Sequence, residues 1–485
     1  MIYHEVCFLS AMAKSSPILL IVSLLAIMAV IISSTPYAFA EPVVKDNDYV
    51  VQKYVSDICC SPTTMAFEGR DILVLQKESG KVILIRDGKQ MKEPVVEEKV
   101  TSVGEQGMLG ITTVGTKVYL YFTESYYNGG PPLGKLVYSY DWNGQKLVHK
   151  TLVKDMLETQ FYHNGGAMTT DLNGTVYLVV GDAGRYGKLE NHPDGEPDDT
   201  AVILRIAPPG PYYAIGVRNS FGLTVDPFTG KLWDTENGPT NNDEINLVPP
   251  NFNSGWDVIM GPANKTQLAD LPGFPGYVYH DPQFTWAKPV APTGLSFVKS
   301  KEFSKYQNNL FVGDCNKGNL YRFELNDNRD GFVFKSPQLA DNVADLGESM
   351  DEIIFGTGFG CITDVEQGPD GLLYVVSLSD GVIYRIVPKE IAIQGEGLQI
   401  PDWIKSTAKW WSEGSIQDSD FAHGIQYLIK QKIMKMPDTQ PGQTSSQKIP
   451  SWIKNNAGWW ASGKISDDEF VNGIQYLIRQ GIIKV

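Results

Sequence analysis

The chain has 485 residues, with 41 Lys and Arg against 56 Asp and Glu, a net charge of −15. That balance excludes a nucleic-acid binder, which needs a basic face for the phosphates, and a general binder of anionic membranes. With 42% hydrophobic residues, 47 glycines and 29 prolines, the composition is globular and turn-rich, long enough for one large domain plus additions.

Residues 1–40 read as an export signal. Lys14 precedes an apolar run from Ile18 to Ile32, and Ala38-Phe39-Ala40 is a small-x-small cleavage site before Glu41. Met12 offers an alternative start with a more usual basic n-region. An uncleaved N-terminal anchor is the competing reading, but the run is short for a membrane span. The protein is expected to be secreted or held at the cell surface. Cys7 leaves with the signal, and Cys59, Cys60, Cys315 and Cys361 remain. In an oxidising compartment four cysteines imply disulfides, with three connectivities open. Cys59 and Cys60 are adjacent and on a strand would face opposite sides, so at most one would meet an inward partner. A thiolate metal site lacks the C-x-x-C spacing.

From residue 46 to 389 no helical period is sustained. Short runs of Val, Ile, Leu, Tyr and Phe alternate with Gly, Asp and Asn turns, the pattern of many short strands. A unit recurs: an inner strand, a turn, a Tyr- or Val-rich strand, then a third apolar strand. It begins at Thr64-Met65-Ala66-Phe67, Met108-Leu109-Gly110-Ile111, Gly166-Ala167-Met168, Phe221-Gly222-Leu223-Thr224, Thr293-Gly294-Leu295-Ser296 and Ile362-Thr363-Asp364-Val365. Six units over this length predict an all-β, six-bladed β-propeller. Asp87-Gly88, Asn173-Gly174 and Asp370-Gly371 supply hairpin turns.

After a short linker at 391–399, two copies of a Trp-rich unit follow at 400–436 and 449–485, joined by a second linker at 437–448. Trp410-Trp411 matches Trp459-Trp460, and Gly424-Ile425-Gln426-Tyr427-Leu428-Ile429 matches Gly473-Ile474-Gln475-Tyr476-Leu477-Ile478. Each copy reads as two helices. Pro401 and Pro450 suit a first helical turn, Ser466 to Glu469 is a capping box, and Phe470, Ile474, Leu477 and Ile478 form one apolar stripe. Units this small need company, so the copies are expected to pack together or onto a partner. Core packing is the favoured role of the tryptophans over a ligand platform.

The mature chain keeps five histidines and has no HExxH, G-x-S-x-G or phosphate loop, which removes zinc proteases, α/β-hydrolases and nucleotide enzymes. His163, in Tyr162-His163-Asn164-Gly165-Gly166, and Asp182, in Gly181-Asp182-Ala183-Gly184, bracket a hairpin, so an imidazole and a carboxylate return to one channel mouth. On position alone a His capping a strand and an Asp holding a turn is the favoured reading over a base with its orienting acid. Arg218-Asn219, Glu236-Asn237-Gly238-Pro239 and Asp243-Glu244 follow, adding a cation and an oxygen-rich turn.

This ordered set, with Gly104-Glu105-Gln106-Gly107 before it and Asp364 to Gly371 after it, resembles the glucose/sorbosone dehydrogenase family over residues 50–388. The resemblance implies a six-bladed propeller that oxidises an aldose or related alcohol with pyrroloquinoline quinone (PQQ) and calcium, handing electrons to an acceptor. It assigns the general base to His163, its orienting carboxylate to Asp182 and the stabilising cation to Arg218. Glu105, Asn219, Asn237, Asp243 and Lys317 fall at cofactor-contacting positions. The carbonyls of Gly238 and Pro239 would hold calcium, and Glu244 matches a ligand of a separate calcium pair. The chain departs from the family where further basic residues are expected: two arginines are replaced by Cys361 and Thr363, and a lysine by Asn316, with Lys317 one place along. Two rival readings are a binding propeller that has lost the quinone and a calcium-dependent lactonase. The Trp-rich repeats resemble those of exported archaeal proteins and imply attachment to a cell envelope or partner.

Overall fold

The structure is a computed structural model that describes residues 41–156, 160–396, 402–430, 449–462, 464–465 and 467–483. The expected signal at 1–40, the linker at 437–448, Pro401 and Ser466 lie outside the described residues. Between Val43 and Pro388 the regular structure is mostly β, interrupted by the short helix Lys265–Asp270 and by single turns, and is organised into six antiparallel-based sheets in a propeller arrangement. Each sheet has one edge strand facing the centre: Pro62–Glu68, Met108–Val114, Met168–Thr170, Ser220–Val225, Pro292–Phe297 and Ile362–Gln367. These six pack one against the next in chain order, and the last returns to the first.

The sequence explains this close approach. Three of the six inner strands carry a glycine where neighbours meet: a Cβ on Gly110 would stand 2.2 Å from the carbonyl oxygen of Gly166, and one on Gly222 2.1 Å from that of Thr293. Only a residue without a side chain lets the strands converge there. The second strand of each sheet is buried on both faces, as in Asp71–Gln76 and Val176–Val180. Each fully buried Val or Leu there contributes roughly 1.5–3 kcal/mol of transfer free energy.

The ring closes with a strand that does not belong to the first unit. Tyr49–Val55 pairs antiparallel with Val382–Pro388 and completes the last sheet, with Tyr49 opposite Pro388. Asp364 adds a second tie, its carboxylate accepting from the backbone N–H of Met65 at 2.8 Å.

The segment expected as a linker at 391–399 begins inside a helix, Lys389–Glu396. The run from Lys389 to Gln394 contains no proline or glycine to stop it. The Trp-rich repeats each form two helices: Asp402–Ser412 with Asp418–Lys430, and Ser451–Ala461 with Asp467–Arg479. Pro450 stands at the cap before its helix rather than within the first turn. The repeats pack on one another through a shared core. Trp411 stacks on Phe421 at 3.7 Å and Trp460 on Phe470 at 3.9 Å. Lys405 of the first copy lies over Trp460 of the second, and Lys454 of the second over Trp411 of the first. The tryptophan pairs divide their roles: Trp411 and Trp460 are 0% and 1% exposed, Trp410 and Trp459 53% and 48%.

Candidate active site

His163 sits in the loop before the inner strand Met168–Thr170, five residues earlier than its first residue, and Asp182 just past the end of Val176–Val180. His163 is held at φ 50°, in the left-handed region, a conformation that costs about 1–3 kcal/mol in a non-glycine residue and clusters at functional sites. Gly181 makes room for it: a Cβ there would meet the carbonyl oxygen of His163 at 2.3 Å.

The side chains form one connected chain. His163 Nδ1 lies 2.6 Å from Asp182 Oδ1, and Arg218 Nη2 lies 3.0 Å from His163 Nε2. Arginine can only donate, so Nε2 is the acceptor nitrogen and Nδ1 carries the proton toward Asp182. The imidazole is therefore neutral, with its basic nitrogen on the arginine side. Arg218 also donates through Nη1 to the carbonyl of Asn237 at 2.7 Å. Its Nε is buried without a partner, an unsatisfied donor. Burial lowers the pKa of Arg218, opposed by Asp182, Glu236, Glu105 and Asp243.

Three supports hold this chain in place, and one of them, Trp256, was not singled out from the sequence. Trp256 donates its indole N–H to Asp182 Oδ2 at 2.7 Å, and its ring lies 5.1 Å from the Arg218 guanidinium. Glu236 accepts from the backbone N–H of Arg218 at 2.6 Å and from Ser254 Oγ at 2.6 Å. Asp182 takes a further bond from the N–H of Gly184 at 2.7 Å, as its turn sequence implies. The signal for Trp256 was a Gly-Trp pair in a loop, too short to separate from core packing. Behind Asp182, the Glu190 carboxyl is pushed up to about 8, by burial first and by Asp182 second.

The other expected residues divide. Glu105, Asn219 and Asn237 join the chain: Glu105 accepts from the N–H of Asn164 at 3.0 Å and from Asn219 Nδ2 at 3.3 Å, while Asn219 Oδ1 accepts from the N–H of Gly165. Asp243 fixes the turn, accepting from the N–H groups of Gly238, Val290 and Ala291 at 2.7–2.8 Å. Glu244, next along the strand, faces the opposite side. It is buried, accepts from the N–H of Gly261 and from Asn246 Nδ2, and is raised well above the usual carboxylate range by burial and by Glu236. Lys317 is exposed; its backbone N–H donates to Asp314, and its side chain does not line the cavity beside the site.

That cavity, of about 290 Å³, adjoins the chain at Gly165, Gly166, Glu105 and Asn237. Its remaining wall is Gly104, Leu109, Ala167, Phe221, Ala291 and Leu378, four threonines, Lys77, and Cys315 with Cys361. Those cysteines form a disulfide across 46 residues, while Cys59 and Cys60, which lie outside any strand, are both unbridged. Neither of the adjacent pair therefore reaches an inward partner.

A profile of the Glucose / Sorbosone dehydrogenase family matches residues 60–385. The chain is 27% identical over 246 residues to aldose sugar dehydrogenase YliI of Escherichia coli, an alignment covering 47% of this chain and 60% of that protein. Among solved structures, the apo-form of the soluble aldose sugar dehydrogenase from Escherichia coli aligns with a TM-score of 0.55 at 20% identity, over 70% of this chain and 99% of that one. The PQQ-bound aldose sugar dehydrogenase from Streptomyces coelicolor aligns with a TM-score of 0.53 at 22% identity, over 72% and 98%. At these identities the structural likeness establishes the fold.

PQQ carries three carboxylates, and the cavity does not fit them. Its lining holds one cation, Lys77, and one anion, Glu105, a net charge of zero. The hydroxyl protons of Thr63, Thr64, Thr293 and Thr363 are all committed to backbone carbonyls of Met108, Leu109, Ile362 and Pro62 at 2.8–3.2 Å. One of the two Asn237 Nδ2 protons goes to the carbonyl of Pro292 at 2.9 Å. Calcium takes six to eight oxygens. The Gly238-Pro239 turn offers carbonyls, but the carboxylates of Asp243 and Glu244 already accept from protein donors. The residues present do not make a calcium cage, and no cluster of three or more His, Cys, Asp or Glu that could hold a metal occurs among the described residues.

Proposed function

The chain belongs to the glucose/sorbosone dehydrogenase family, and from that premise we propose that it is an exported oxidoreductase that dehydrogenates a hydroxyl of a sugar or related alcohol. The Asp182–His163–Arg218 chain carries this reading, because it presents a neutral imidazole with its basic nitrogen beside a cation. A substrate hydroxyl replacing the arginine at Nε2 would give its proton to His163. Asp182 would stabilise the imidazolium and fix its tautomer. Arg218, whose Nη2 is freed from Nε2, would donate to the oxygen on which negative charge develops. The hydride leaves the same carbon for a two-electron acceptor in the adjoining cavity.

Each of the six sheets is counted as one blade of the propeller, and the propeller is taken to span 46–389. The Cys315–Cys361 disulfide is in keeping with export and an oxidising compartment. The C-terminal helical pair is proposed as an attachment module for a cell envelope or partner. PQQ and calcium are the family's expectation and find only part of their contacts here, so no step is assigned to either. The same deficit favours, as a second reading, a sugar-binding propeller without catalysis.

The test is turnover of a panel of aldoses and simple alcohols by the purified full chain, with a reducible dye and, in separate arms, PQQ with calcium or an uncharged quinone. Turnover of at least one substrate is expected. No turnover in any arm, with sugar binding retained, would establish the second reading instead.

A further inference from the structure

We infer that the cavity beside His163 takes an uncharged quinone of one or two rings as the electron acceptor, in place of a polycarboxylated one; this rests on the oxidoreductase reading above. The charge balance carries the argument. A ligand with several carboxylates entering a wall of net zero charge would give up its hydration and find one ammonium, Lys77, already donating to the carbonyl of Gly104 at 2.8 Å and already facing Glu105. Desolvated anions without donors are strongly disfavoured. Dinucleotide cofactors fail for the same reason, since their phosphates need donors the wall lacks, and about 290 Å³ is small for them.

An uncharged quinone asks for what is present. Its flat ring is matched by Phe221, Leu109 and Leu378 together with the disulfide sulfurs, all apolar surface. Its carbonyl oxygens only accept, and Lys77 on the wall keeps protons beyond the one it gives to Gly104. The reaction balances without another reagent. The substrate carbon loses a hydride, which bonds to the quinone; the hydroxyl proton passes to His163 Nε2 and on to the reduced ring. An alcohol becomes a carbonyl compound and the quinone becomes a hydroquinone.

The experiment measures binding rather than turnover. Duroquinone is the probe, because its fully methylated ring does not alkylate Cys59 or Cys60. Equilibrium dialysis of the oxidised full chain should give duroquinone an affinity at least about tenfold above that of PQQ with calcium, the scale of one or more missing charged hydrogen bonds. Duroquinone binding should be insensitive to salt, as screening requires of an uncharged ligand. Thr363→Arg, which leaves the disulfide in place, should tighten PQQ about tenfold or more without tightening duroquinone. PQQ binding the wild-type chain as tightly as duroquinone, or neither quinone binding, overturns the inference; the wild-type comparison decides even where the variant does not fold. Duroquinone binding with no turnover of any substrate would leave this inference standing and remove the oxidoreductase reading. Turnover with PQQ alone would do the reverse.

Discussion

The two walls of the site are built on opposite principles. On the His163 side nearly every polar group is engaged with another functional group, and charges are held close together: Asp182, His163, Arg218, Trp256 and Glu236 form one run of contacts at 2.6–3.0 Å. On the Cys315–Cys361 side the polar groups are turned back on the backbone, leaving methyls, sulfur and aliphatic carbon toward the cavity. The first wall is preorganised for moving a proton and meeting a developing charge. The second is preorganised to exclude charge. A family defined by its reacting groups can keep the one while the other changes what is held.

The contrast can be broken most severely at His163. His163→Asn should lower kcat by about 10²–10⁴-fold, the range for loss of a general base, with substrate binding nearly retained in a direct titration. On the opposite wall the expected effect is on stability. Reducing the Cys315–Cys361 disulfide should lower unfolding free energy by about 2–4 kcal/mol, read from denaturant midpoints with and without reductant. The smallest effect sharpens the comparison. Trp256→Phe keeps the ring over Arg218 and removes the donor to Asp182, a charged hydrogen bond worth about 1.5–3 kcal/mol. It should lower kcat roughly 10–100-fold and move the acid limb of the pH–rate profile to higher pH, because Asp182 then concentrates its charge on the imidazole. A purely packing role for Trp256 would leave that limb where it was.

Much of the site was legible because its signals are local. His163 and Asp182 flank a hairpin whose turn and strand periods are plain in the sequence, and the Gly-rich runs beside them mark close backbone approach, as Gly181 demonstrates. Lys317 shows where local reasoning ends. It lies in a bend past the strand Asn309–Asp314, where Asn316 beside it is exposed as well, and spacing along the chain does not say which side chain of such a bend meets a cavity. The closing strand Tyr49–Val55 was not assigned to the last unit, because its partner lies more than three hundred residues away and nothing in its own composition names it. The tail gave its helices through period and repetition, yet not the exchange of Lys405 and Lys454 between copies. That exchange depends on how two similar surfaces meet.

The closing strand also sets the order in which this molecule can be made. Tyr49–Val55 leaves the ribosome early, but its hydrogen-bonding edge has no mate until Val382–Pro388 has been synthesised. Contacts of such sequence separation are slow to form, and an unpaired strand edge is an invitation to the wrong neighbour. The final sheet is thus the last to be completed and the first place where misassembly would show. A nascent chain stalled before residue 382 would hold five complete sheets, a single hairpin of the sixth and an open seam.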